Sequence, residues 1–106
     1  MSNNGKNIVH FEQLWDMAEK LSSLEMSDEK EIFGRISSIV SELKDIYIVS
    51  PNSKDQTLTN AIKSKAIGRL LFAITALSSK EKIDAYAALK DQWQISSIKN
   101  KINFSI

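Results

Sequence analysis

The sequence predicts an all-α fold, an antiparallel helical bundle of about four helices with a C-terminal tail. Three observations lead there. Apolar residues recur at three- and four-residue spacing along most of the chain, the signature of helices with one buried side. A single proline and three glycines leave few places where such elements can be interrupted. At 106 residues, with 42% hydrophobic and 25% charged residues, the chain has the length and composition of one globular domain.

Residues 1–7 are polar and expected to be frayed. The first helix is predicted from about Ile8 to Leu24. Phe11, Leu14, Trp15, Met17, Ala18, Leu21 and Leu24 form its expected core side, with Glu12, Asp16 and Glu19 opposite. Ser27 reads as the N-cap of a second helix, with Asp28 and Glu29 in the first turn, where the helix dipole favours them. That helix is expected to reach Tyr47, with Ile32, Phe33, Ile36, Ile39, Val40, Leu43, Ile46 and Tyr47 as its stripe. The β-branched run through Val49 is expected to fray toward an extended form.

Ser50-Pro51-Asn52-Ser53 is the strong break. Ser53 with Gln56 reads as a capping box for a third helix running to about Leu77. Its later part, Ala66 to Ile74, is apolar nearly all round, which places it centrally, and Ser64 and Gly68 are small enough to admit a close neighbour. The second and third helices should supply most of the core. Ser78 with Glu81 reads as another capping box, opening a fourth helix from about Ser79 to Gln94, with Ala85, Tyr86, Leu89 and Trp93 as a thin stripe. Residues 95–106 fit helix and strand periodicity equally poorly and are set apart as a tail that docks on the bundle or on a partner.

The chemistry needed for catalysis is missing. No cysteine is present, which removes thiolate ligands, a cysteine nucleophile and disulfides, and fits a cytoplasmic protein. The one histidine, His10, falls on the apolar side of the first helix and reads as a histidine at the edge of the core. No metalloprotease, phosphate-loop, dinucleotide or calcium-loop motif occurs. Glu12, Asp16 and Glu19 share one helical face and could hold a divalent cation, but a solvated face is the simpler expectation. No catalytic residue, metal or cofactor is therefore predicted, and no apolar run is long enough to span a bilayer.

What remains is surface. Residues 1–50 carry five Lys/Arg against nine Asp/Glu, and residues 51–106 carry nine against four. The two halves either cover one another or leave a basic face for an acidic partner. Specific DNA binding is disfavoured, because base readout leans heavily on Arg, Asn and Gln and only Arg35 and Arg69 supply arginine, while a weak nucleic-acid-binding helical protein is kept as a second alternative. Trp93 and Phe104 lie where the helical pattern weakens, as a partner-binding aromatic would. With Ile98, Lys99, Lys101 and Ile102 they form the expected recognition element of a noncatalytic protein-binding module. The rival expectation is a self-assembling phage or viral accessory protein, in which a second copy covers the thin fourth-helix stripe.

The layout resembles the small immunity proteins of pediocin-like bacteriocins. The resemblance rests on four helices, the Ser50-Pro51 break before a long third helix, the absence of cysteine, and the apolar, lysine-bearing segment Ile95-Ser96-Ser97-Ile98-Lys99-Asn100-Lys101-Ile102. It implies an antiparallel four-helix bundle in the cytosol whose C-terminal segment sets specificity. It also implies a partner: a bacteriocin-occupied membrane receptor, met from the cytosolic side.

Overall fold

In the computed structural model, residues 10–49 and 56–101 are described. They form four helices, α1 (Phe11–Glu25), α2 (Glu29–Val49), α3 (Gln56–Glu81) and α4 (Ala85–Lys99), and no strand. The all-α helical bundle expected from the periodicity is therefore what the chain adopts. Its centre is α3, with α1 and α2 both packed along it. Among the described residues α4 runs alongside none of the other three.

Cross-helix contacts give the directions. The Ser22 and Thr75 hydroxyls lie 2.8 Å apart, and Lys80 Nζ reaches the Ser27 carbonyl at 3.4 Å, so α1 runs parallel to α3. Ile32 shares a cluster with Ala73 and Ala76, Arg69 pairs with Glu42, and Lys63 sits over the Tyr47 ring, so α2 runs antiparallel to α3.

The core is small and built on alanine. Met26, Ile32, Ala73 and Ala76 form its centre, with Ile36, Phe72 and Leu77 packed against them, and Ile39 and Ala66 are buried further along. Alanine at 66, 73 and 76 lets neighbouring helices approach α3 closely, because nothing beyond Cβ has to be accommodated. The α2 residues facing α3 are Ile32, Ile36, Ile39, Leu43 and Ile46, spaced four, three, four and three apart. That is the seam of a lengthwise antiparallel pair.

Several helix boundaries differ from expectation, each for a local reason. Asp28 rather than Ser27 caps α2, its Oδ1 accepting from the Glu31 N–H at 2.9 Å. The run Ile46 to Val49 stays helical, with Ile46 half-buried and the Tyr47 ring under the Lys63 ammonium of α3 at 4.2 Å. Ser78 and Glu81 cap nothing: they lie inside α3, and the Ser78 hydroxyl donates back to the Ile74 carbonyl at 3.1 Å.

Instead α3 ends in a Schellman turn, with Ile83 N–H on the Ser78 carbonyl (3.0 Å) and Lys82 N–H on that of Ser79 (3.3 Å). Lys82 takes the left-handed conformation, φ 57°, that glycine usually supplies. Asp84 then opens α4, its Oδ1 accepting from the Ala87 N–H at 3.1 Å. The segment set apart as a tail is helical from Ile95 to Lys99. Ser53 of the expected third-helix cap lies outside the described residues.

The largest departure concerns α1. Its covered side carries half-buried Trp15, Ala18 and Glu19 and fully buried Ser22, which meets Thr75 of α3. The expected core row faces outward, with Phe11, Leu14, Met17, Leu21 and Leu24 all more than half exposed. The polar line through Ser22 faces α3 because its hydroxyl finds a buried partner there. The Thr75 hydroxyl also lies 2.6 Å from the Phe72 carbonyl. That short contact takes the Thr75 proton, so Ser22 is the donor across the helix interface. His10 is likewise not at a core edge: it is exposed at the N-cap of α1, its N–H donating to Gln13 Oε1 at 3.3 Å.

Candidate protein-docking surfaces

Catalysis requires polar groups that converge. Among the described residues, no group of three or more His, Cys, Asp or Glu side chains is placed to hold a metal ion. Of the acidic trio on α1, Glu19 is engaged by Trp15, whose indole Nε1–H donates to its Oε2 at 3.3 Å. Glu12 and Asp16 are exposed.

An open groove of about 810 Å³ runs between α2 and α3 and reaches the end of α1 at Glu25 and Met26. Gly34 and Gly68 line it, and at neither would an added Cβ meet any atom within 4 Å. No helix has moved in at Gly68, against the close approach expected there. The groove's arginines are already engaged, Arg35 with Glu31 at 3.4 Å and Arg69 with Glu42 at 3.1 Å.

The distribution of apolar side chains is different in kind. Scattered exposed hydrophobics are normal, whereas contiguous rows mark interaction surfaces. Two regions qualify. The first is the α1 row, whose members Leu14, Met17, Leu21 and Leu24 lie about 150° around the helix from Trp15, Glu19 and Ser22, at 3.6 residues per turn. Phe11 lies apart from this row, on the side of Trp15, whose ring centroid is 5.8 Å from its own.

The second region is the outward side of α4. Ile95 and Ile98 are 59% and 77% exposed, beside exposed Lys99 and Lys101. Trp93 lies on the opposite side of α4, half-buried, near buried Ser97. Of the six residues expected to recognise a partner, the structure leaves Ile98, Lys99 and Lys101 exposed and turns Trp93 to the other side of α4. Ile102 and Phe104 lie outside the described residues.

Sequence reasoning saw the α1 row but assigned it to the core. A signal for the alternative was present. The apolar arc of this helix, from Leu24 round through Phe11 to Trp15, spans about half its circumference, wider than one neighbouring helix can cover. Among the described residues no helix is long and apolar enough to cross a membrane, so the exposed rows are not those of a transmembrane span. Comparison with protein-family models, with curated proteins and with solved structures finds no match for this chain.

Proposed function

We propose that the protein is a noncatalytic protein-binding module working in the cytoplasm, and that the outward side of α4 meets its partner. The observation that carries this reading is the pairing of Ile95 and Ile98, 59% and 77% exposed, with Lys99 on a helix that runs alongside no other described helix. Apolar side chains beside exposed ammonium groups suit a partner groove that is apolar at its floor and acidic at its rim. The resemblance to bacteriocin immunity proteins supplies a candidate partner, the cytosolic side of a bacteriocin-occupied receptor.

The test uses the full chain as bait against lysate of the host cell, beside Ile98→Glu/Lys99→Glu. Both substituted residues are exposed, so the fold is retained and circular dichroism is unchanged. A specifically bound protein lost with the double variant supports the reading. Equal capture by both baits refutes it. Survival of bacteriocin-sensitive cells expressing the chain, lost with the same variant, supports the immunity role in particular.

Nucleic-acid binding is less well supported, since Lys63, Arg35 and Arg69 are occupied by Tyr47, Glu31 and Glu42. Self-assembly is favoured by one specific feature, the α1 row.

A further inference from the structure

Leu14, Met17, Leu21 and Leu24 are spaced three, four and three residues apart and are 53%, 59%, 53% and 82% exposed. This is the spacing of a two-helix seam, with Leu14 and Leu21 at a positions and Met17 and Leu24 at d positions. We propose that α1 of a second copy closes the seam, parallel and in register, making the protein a symmetric homodimer. The inference goes beyond the α4 reading and uses a different surface.

Two observations select a second copy as the occupant. The first is charge. On this register Lys20 occupies the g position and Glu25 the following e position. In a parallel pair a g residue faces the e residue of the next heptad across the seam. Each Lys20 therefore meets the Glu25 of the other copy, twice by symmetry. Neither makes an ion pair with any described residue of its own chain. Glu12 and Asp16, which would repel their own counterparts, point away from the seam.

The second observation is area. At ~200 Å² for a large apolar residue, the exposed parts of the four seam residues come to roughly 500 Å² per copy. A pair then covers roughly 1,000 Å², the size of weak, reversible interfaces. The seam is thus large enough for a dimer that forms and dissociates with protein concentration.

The experiment is sedimentation equilibrium of the full chain from micromolar to submillimolar concentration. A monomer–dimer equilibrium is expected. Leu21→Glu should weaken it by more than tenfold with helicity unchanged, since Leu21 is 53% exposed and lies outside the core cluster of the described residues. Lys20→Glu and Glu25→Lys should each weaken it by roughly three- to tenfold, as two exposed ion pairs are lost. Their combination should restore it, which an antiparallel pair would not do.

The chain has no cysteine, so Leu24→Cys introduces a lone thiol at a position that faces itself in the parallel dimer. Oxidation should yield a covalent dimer, and Ser23→Cys, on another side of α1, should not. A chain that stays monomeric at submillimolar concentration overturns the proposal. So does a dimer indifferent to Leu21→Glu, or one cross-linked only when Leu14→Cys and Leu24→Cys chains are mixed. Capture by the α4 surface would survive each of those outcomes, so the two readings fail separately.

Discussion

Removing the buried hydroxyl pair between α1 and α3 tests how α1 is held. Ser22 is 0% exposed and Thr75 2% exposed, with their oxygens 2.8 Å apart. Ser22→Ala deletes the donor and leaves Thr75 still bonded to the Phe72 carbonyl. The loss is one net hydrogen bond, about 1 kcal/mol, partly offset by the few tenths by which alanine is the better helix former. Thr75→Val keeps the side-chain shape but strands the Ser22 hydroxyl, whose remaining acceptor is the Glu19 carbonyl at 3.4 Å. A buried hydroxyl so placed costs about 1–2 kcal/mol.

In the double variant nothing is stranded, so the two costs do not add. The cycle should return a coupling of about 1 kcal/mol, measured by urea unfolding of the four proteins. For a domain of this size 1 kcal/mol corresponds to about 4–8 °C in Tm. Additivity within about 0.3 kcal/mol would show that the hydroxyls do not interact in the folded chain and that α1 is held on α3 some other way.

Other consequences follow from single positions. Among the described residues Ile32 is the largest side chain with no exposure, and Ile32→Ala should cost about 2–5 kcal/mol in denaturant unfolding, a large share of the stability of so small a core. Lys82→Gly relieves the left-handed conformation at the end of α3 and should raise stability by about 1 kcal/mol; no gain would mean the Schellman turn is not populated in solution. Gly34→Ala and Gly68→Ala meet no atom within 4 Å, so each should stabilise its helix by about 0.5–1 kcal/mol. A loss of thermal stability at either would show that the groove between α2 and α3 is filled in the native protein.

The pairing of α2 with α3 was legible because its residues obey one rule: the buried positions are the apolar ones at seam spacing, from Ile32 to Ile46. The α1 face was not legible, because its most buried position is a serine. Hydropathy cannot register that Ser22 has Thr75 to donate to, 53 residues away. The junction between α3 and α4 misled for a related reason. Ser78 and Glu81 have the composition of a helix start, but Ser78 satisfies its hydroxyl within the helix. The true stop, Lys82, is a residue type that seldom adopts the conformation required there. On α4, the exposure of Ile98 and Lys99 fits their place where the helical pattern weakens, while the turning away of Trp93 depends on helical phase, which only a continuous helix through Lys99 defines.

These misreadings share a physical cause that also bears on function. The interior of this fold is made mainly of small side chains: Ala66, Ala73 and Ala76, with Ser22, Thr75 and Ser78 also buried. Of the large side chains Met26, Ile32 and Ile39 are buried with them, while many others are outside, among them Leu24 at 82%, Ile98 at 77% and Ile48 at 72% exposed. A chain whose own folding were the only use for its leucines and isoleucines would place them against α3, because each buried large side chain contributes about 1.5–3 kcal/mol. Here close approach through alanine and one hydroxyl pair holds the helices, and rows of larger residues are left facing water, where they favour association. That inversion makes sense if the burial of those rows comes with assembly. The folded chain alone would then be less stable than the assembled one, and its melting temperature should rise with protein concentration as the α1 seam fills. A melting temperature that does not move between micromolar and submillimolar protein would break this link between the thin core and the exposed rows.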